Sequence, residues 1–428
     1  MVNAIPQIVI VGGGAGGLEL SAQLGDRLGK KNKASVILVN DTLTHIWKPL
    51  LHEVAAGTLD SHEDELSYVA LAKLHHFDFE LGQLRSINRS ERCIEVSYFD
   101  CLQKTPQIKL IFYDALVLAV GSITSDFNVP GAKEHCFFLD NLQQAEALQK
   151  DFLYSFMQPQ ADPKMKIEIA IIGGGATGVE LAAELYYAAE QFHHYNLGIK
   201  DELPVHITII EAGKRLLSAV PDPIANQVLQ NFSNKNITII TEKKVTQVTK
   251  SGVYVNDRFI PTHFNIWCAG VRCADYLKNI GGLETTASNQ IIVNKYLQTS
   301  LDPRIFAIGD CAAFRLPDGK LAPPRAQTAH QEALLLAKSF ETYLKKQKLL
   351  KFYYQDHGSI ISLSRPNAVG QITPQKGFTL GIRGKFARWV YALLYKYHQA
   401  ILLGWWRTLL FSLSHWLTKP IRLRLKLH

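Results

Sequence analysis

Two glycine-rich turns are the residues in this 428-residue chain whose spacing most directly implies chemistry. IVIVGGGAGGLELSAQL runs from Ile8 to Leu24, and IAIIGGGATGVELAAEL repeats it from Ile169 to Leu185. In each, an apolar β-prone run ends in Gly-x-Gly-x-x-Gly (Gly12, Gly14, Gly17, then Gly173, Gly175, Gly178), and a helix-prone segment follows directly. The first glycine permits a tight turn, the second lets a pyrophosphate approach the backbone, and the third lets helix and strand pack closely. The anion is then held by free amides at a helix N-terminus. One such turn suggests a nucleotide site; two in one chain suggest electron transfer between two dinucleotides.

Each turn must be completed by a neighbouring strand whose end offers a group for ribose hydroxyls about 20 residues further on. In the second unit the strand His206–Ile210 ends in Glu211, a carboxylate that can accept from both hydroxyls and repel a 2′-phosphate, although Lys214 and Arg215 lie close by. The first unit has Asn40 and then Asp41 after the strand Ser35–Val39, and either could serve. The length exceeds what one hydrophobic core usually organises, so two or three domains are expected.

The six cysteines (93, 101, 136, 268, 273 and 311) form no CxxC pair and no metal-ligand spacing, which fits a reduced compartment and argues against a bound metal. The net charge of +8 is unevenly placed. No acidic residue follows Asp356, whereas eleven Lys and Arg do, leaving 35 basic and 38 acidic residues in the rest of the chain. A mildly acidic body with a basic, aromatic tail fits an anionic lipid surface better than nucleic acid. The first apolar run is consumed by the first turn's strand, so no secretory leader is read and a cytoplasmic body is expected.

The remaining distinctive segments are HIWKPLLHEVAAGTLD (45–60), YDALVLAVGS (113–122), WCAGV (267–271), RIFAIGDCA (304–312), PPRAQTAHQEA (323–333) and the closing KPIRLRLKLH. Together with the two turns they make the whole chain resemble the type II NADH dehydrogenases, single-subunit NADH:quinone oxidoreductases that do not pump protons. The resemblance implies two Rossmann-like α/β domains, a discontinuous FAD domain (1–122 and 290–345) around an NADH domain (123–289), and a C-terminal region (346–428) with amphipathic membrane-binding helices. It assigns FAD to Gly12, Gly14, Ala15, Gly16, Gly17, Asn40 or Asp41, Lys48, Ala119, Gly121, Asp310, Ala326 and Gln327. It assigns NADH to Gly173, Gly175, Thr177, Gly178, Glu180, Glu211, Ala269 and Gly270.

Catalytic roles also follow from the resemblance. Glu180, two residues past Gly178, orients the nicotinamide or relays protons. The family's AQxAxQ marker reads Ala326-Gln327-Thr328-Ala329-His330-Gln331, and four-residue spacing puts Gln327 and Gln331 on one helix face, toward flavin and quinone. His330 points elsewhere and reads as a packing residue. Lys376 falls where a basic residue lies near the flavin. A disulfide reductase of this fold would need a cysteine pair soon after the first turn, and none precedes Cys93. A sulfide:quinone oxidoreductase would need cysteines at the flavin, and the only close pair, Cys268 and Cys273, sits in the presumed NADH domain. A non-catalytic NADH sensor is the alternative of another class.

From Gly384 the tail is apolar and aromatic but broken by charges, with no uncharged run of the roughly 18 residues needed to span a bilayer. Helical spacing gathers Lys385, Arg388, Lys396 and Arg407 in one sector opposite many leucines and two tryptophans, as one interfacial helix or two broken near Gly404. A homodimer contact is compatible with the same helices. The resulting expectation is a peripheral enzyme on the cytoplasmic face of the inner membrane.

Overall fold

The computed structural model describes residues 5–157, 166–195, 203, 205–364, 367–375 and 378–418. In the first unit, β1 (Gln7–Val11), α1 (Ala15–Arg27), β2 (Ser35–Asn40), the short α2 (Leu51–Ala55), β3 (Asp78–Leu81) and β4 (Ala115–Leu118) follow in order. The second unit contains β5 (Ile167–Ile172), α3 (Ala176–His194), β6 (Val205–Ile210), β7 (Ile237–Ile240) and β8 (Phe264–Trp267). The chain then supplies β9 (Ile305–Ala307) and α4 (Ala326–Tyr343). It ends with β10 (Gly358–Ser362), β11 (Ala368–Gln375), β12 (Phe378–Arg383), α5 (Gly384–Leu403) and α6 (Trp405–Thr418).

The first sheet is parallel, in the order β9-β4-β1-β2-β3, and the second is parallel in the order β7-β6-β5-β8. The inner strands β4 and β5 are buried along nearly their whole length, as a sheet covered on both sides requires. Each unit also carries a three-stranded antiparallel meander between its third and last strand in sequence, Gln83–Phe112 in one and Val245–Pro261 in the other. Since β9 comes from beyond the second unit and pairs with β4, the first unit is closed from both sides of the second. Cys273, Leu277, Ile280 and Leu283, read from sequence as part of the second unit, pack in the first core. The chain re-enters the first unit well before residue 290.

The C-terminal sheet β10-β11-β12 lays Ile361, Leu363 and Val369 on the core around α3. The helical tail is interrupted at Gly404, whose φ of 82° ends α5. No helix among the described residues is long and apolar enough to cross a membrane. The polar sector read from helical spacing does not face solvent as a unit. Arg388 turns inward onto Glu53, and the inner face continues with Tyr395, His398 and Gln399, bonded to Asp64, His45 and Tyr395 respectively. Lys385 and Arg407 stay exposed, and so do the large apolar Phe386, Trp389, Leu393, Leu394, Trp405 and Trp406. A helix with a polar inner face has somewhere to put those groups only because α2 and its neighbours offer partners to them. Residues 419–428, including KPIRLRLKLH, lie outside the described residues.

Candidate active site

The two turns have the same construction. Gly12 and Gly173 take φ of 103° and 111°, a region that favours glycine. Their amides donate to Val39 O and Ile210 O, both at 2.8 Å. A Cβ on Gly17 would lie 1.9 Å from Gly12 O, and one on Gly178 would lie 2.0 Å from Gly173 O, so only glycine allows each helix to sit this close to its strand. A Cβ on Gly12 would fall 2.4 Å from Ala119 O, and one on Gly173 2.7 Å from the Ala269 amide. Gly14 and Gly175 instead face open space. Each turn thus presents an unfilled cradle at a helix N-terminus, shaped for a pyrophosphate. Ala15 is half-buried and Thr177 exposed at the mouths of these cradles, while Gly16 packs against Ala329 of α4.

Register places Asn40 and Glu211 in equivalent positions, because Val11 pairs with Val39 and Ile172 with Ile210. Asn40 Oδ1 accepts from the Gly13 amide at 2.7 Å. Glu211 Oε2 accepts from the Gly174 amide at 2.7 Å, and its Oε1 from Gly213 at 2.6 Å. The geometry therefore distinguishes Asn40 from Asp41, which lies one residue past the equivalent point. Arg215 is engaged by its own loop, donating to Leu217 O and Val220 O and pairing with Asp222 at 3.1 Å.

Three segments distant in sequence meet between the units. Lys48 Nζ donates to Ser122 O at 2.8 Å, and Ser122 Oγ donates to Asp310 Oδ2 at 2.6 Å. Lys48 also lies 3.8 Å from Asp140. Ser122, Arg272, Cys273, Gln290 and Asp310 line one cleft there. Gly121 and Gly270 both turn with positive φ at its edge, and Trp267 Nε1 closes the second crossover by donating to Ser125 O at 2.8 Å.

The helix α4 begins at Ala326, and its two glutamines share a face as their spacing requires. Gln331 bonds the backbone of Gln355 twice, Nε2 to O at 2.7 Å and Oε1 from N at 2.9 Å. Gln327 Oε1 accepts from Tyr354 Oη at 3.1 Å. His330 is not simple packing: its Nδ1 lies 2.7 Å from Oε2 of Glu19, a buried carboxyl on α1, so it ties α4 to α1. Glu332, unremarked in the sequence, is buried and accepts from the Gly309 amide at 2.5 Å, and burial pushes its carboxyl up to about 8. Lys376 lies outside the described residues.

Glu180 is buried near the start of α3, just past its first turn. Its Oε1 accepts from the Ser362 amide at 2.9 Å, and its Oε2 is 4.0 Å from His52 Nδ1. Burial dominates its environment and pushes the carboxyl up to about 8, against the Ser362 amide, which pulls it down. His52, also buried, is pushed down to about 4 and is neutral. Around the first turn, Gly13 O accepts from Tyr68 Oη at 2.7 Å and bonds His45 Nδ1 at 3.0 Å. None of His45, His52, Tyr68, Ser362 or Arg388 carried a site signal in the sequence. HIWKPLLHE was conspicuous as a segment, but only the fold shows that its histidines face the two turns.

The pyridine nucleotide-disulphide oxidoreductase family matches residues 6–333. The type II NADH:quinone oxidoreductase of Haemophilus influenzae is 41% identical, over 98% of this chain and 99% of that one. The chain belongs to the type II NADH:quinone oxidoreductases. The same fold recurs in NDH2 from Plasmodium falciparum in complex with NADH, with a TM-score of 0.83 at 22% identity over 99% of this chain and 100% of that one. It recurs too in the sulfide:quinone oxidoreductase of Aquifex aeolicus, with a TM-score of 0.75 at 19% identity over 93% and 92% of the two chains. The fold is thus shared by enzymes with different electron donors, and the family rests on the 41% sequence identity over nearly the whole of both chains.

FAD is the flavin of this family, and the residues present fit it. Gly14 opens on empty space where a pyrophosphate would sit, Asn40 closes the turn behind it, and Asp310 lines a cleft with Ser122 and Gln290. Cys273 and Cys268 do not form a redox pair. Cys273 Sγ approaches Asp310 O in the first core, whereas Cys268 packs with the second, and burial pushes both thiols up to about 12.

Replacing Gly17 by Ala is expected to lower stability by about 3 kcal/mol through overpacking and to yield protein without flavin. Gly14→Ala, whose Cβ meets no protein atom, should keep the Tm of the flavin-free protein and weaken flavin retention alone. Flavin absorbance per chain and thermal unfolding after flavin removal distinguish the two.

Proposed function

We propose that this chain oxidises NADH and reduces a membrane quinone, as a single-subunit enzyme that moves no protons across the bilayer. The observation that carries the reading is the pair of open glycine cradles, Gly14 and Gly175, joined by Lys48, Ser122 and Asp310 meeting between the two units. When bound at the first cradle, FAD would supply the redox chemistry that links NADH oxidation to quinone reduction. Gly12, Gly14, Ala15, Gly16 and Gly17 would hold its pyrophosphate, and Asn40 and Asp310 its ribose and ribityl hydroxyls. Lys48, Ala119, Gly121, Ala326 and Gln327 would hold the rest of the flavin. Gly173, Gly175, Thr177, Gly178, Ala269 and Gly270 take NADH.

Glu211 gives the second site its preference. Two backbone amides fix its carboxylate at the turn, where it accepts ribose hydroxyls and repels a 2′-phosphate. The overall reaction, NADH + H⁺ + quinone → NAD⁺ + quinol, consumes one proton beyond the hydride. Glu180 holds a proton below about pH 8 and is the group we assign to deliver it. Gln327 and Gln331 donate to the quinone head, with Tyr354 and Gln355 fixing their orientation.

The exposed aromatic and aliphatic faces of α5 and α6, with Arg407 and the basic tail, support attachment to anionic lipid on the cytoplasmic face of the inner membrane. Attachment would hold the site beside a lipid-soluble acceptor. The same faces are compatible with a homodimer.

Anaerobic stopped-flow mixing with NADH and then a soluble quinone tests the reading. Flavin absorbance should bleach rapidly and return; flavin that sulfide bleaches and NADH does not would overturn it. Glu211→Gln is expected to lower the ratio of NADH to NADPH efficiency about tenfold, measured as kcat/KM. Since Glu180 loses its proton as pH rises through about 8, quinone reduction should fall above that pH in the natural protein. In Glu180→Gln it should be slow and flat with pH. Changing Trp405 and Trp406 to Ser should release the protein from anionic vesicles in flotation while leaving turnover with NADH and a soluble quinone intact.

A further inference from the structure

The helix α5 presents Phe386 and Trp389 outward, and between them Arg388 turns into the protein. Both of its terminal nitrogens donate to Glu53 Oε1 at 3.1 Å, and Nη1 donates to Ser362 Oγ at 2.6 Å. The amide of the same Ser362 donates to Glu180 Oε1. A continuous set of hydrogen bonds therefore runs from the outermost helix, through one serine at the end of β10, to the carboxyl beside the second glycine turn. The ion pair is largely dry, with 17% of the Arg388 side chain exposed and 4% of Glu53.

Charge makes this connection more than a brace. Three carboxyls meet here: Glu53 on α2, and Glu180 and Glu184 on α3. Thr58 Oγ1 donates to Glu184 Oε2 at 2.9 Å, and Tyr391 of α5 also faces the cluster. The histidine in it, His52, is neutral because burial disfavours its cation. Arg388 is the cation that acts on Glu180, whereas Lys235 acts on Glu184. The two bonds of Arg388 hold the Glu53 carboxyl beside Glu180, where Glu53 opposes a negative charge on Glu180 and the guanidinium favours one.

We propose that Arg388 is a positioning residue for Glu180: through Ser362 it fixes the carboxyl's orientation, and with Glu53 it sets the pH at which Glu180 releases its proton. The proposal rests on the proton-delivering role given to Glu180 above. It makes the helix that faces outward with tryptophan also the helix that fixes the acid of the reaction. The opposed effects of Arg388 and Glu53 give the test its sign. Removing the cation removes a group that favours the Glu180 anion, so the proton is held to higher pH. Removing the neighbouring carboxylate removes a group that opposes that anion, so the proton is lost at lower pH.

The experiment is the pH dependence of the quinone half-reaction, followed by flavin reoxidation in stopped flow, on flavin-loaded natural protein and on Arg388→Met, Arg388→Lys, Glu53→Gln and Glu180→Gln. Arg388→Met is expected to move the alkaline limb up by about one pH unit and Glu53→Gln to move it down by a similar amount. Arg388→Lys should restore most of the natural midpoint, and Glu180→Gln should abolish the limb. Should Arg388→Met fail to fold, the downward shift in Glu53→Gln carries the test. A limb abolished in Glu180→Gln but unmoved in Glu53→Gln and, where it folds, in Arg388→Met overturns this proposal and leaves the role of Glu180 standing. A limb that persists in Glu180→Gln overturns both.

Discussion

The contact on which the rest of the molecule depends is the approach of a helix to the carbonyl of the first turn glycine. At Gly17 and at Gly178 an added Cβ would sit about 2 Å from that carbonyl, well inside any allowed distance. The absence of a side chain lets α1 and α3 begin directly over the ends of β1 and β5, aiming unpaired amides at a space left empty by Gly14 and Gly175. Everything else near the two turns serves to keep them in that shape. Asn40 and Glu211 bond the middle amide of each, and Tyr68 and His45 bond the carbonyl of the first.

The duplication explains how one chain can pass electrons between two dinucleotides. The two parallel sheets have matching strand and helix orders, and each inserts an antiparallel meander where a further helix might stand. The first unit is closed by β9 and α4, which come from beyond the second. That crossing brings Lys48, Ser122 and Asp310, separated by up to 262 residues, into one hydrogen-bonded group between the units. It also places Cys273 in the first core and Cys268 against the second.

The C-terminal helices are amphipathic in the opposite sense to a solvent-facing helix. Most of their large apolar side chains are exposed, whereas Arg388, Tyr395, His398 and Gln399 are bonded inside. Burying an arginine is costly unless its partners are in place, and Glu53 and Ser362 are. An outward face of Trp, Phe and Leu is stable in contact with an apolar phase, which agrees with the family's quinone-linked chemistry. The exposed apolar face and the hydrogen bonds that reach Ser362 and Glu53 are thereby built from the same twenty residues of α5.

Local chemistry determined much of this in advance. The glycine spacing, the apolar strands before it and the helices after it specify two dinucleotide-binding units, because no side chain can replace the missing Cβ at Gly17 or Gly178. Four-residue spacing likewise put Gln327 and Gln331 on one face, and Gly404 divided the tail. Long-range register decided the rest. Asn40 and Asp41 are equally plausible in the linear chain, and only the pairing of Val11 with Val39 shows which one meets the turn. Arg388 belongs to a cationic stripe by helical spacing alone. Whether that stripe meets solvent or a buried carboxylate depends on Glu53, 335 residues away, and no local pattern encodes that partner.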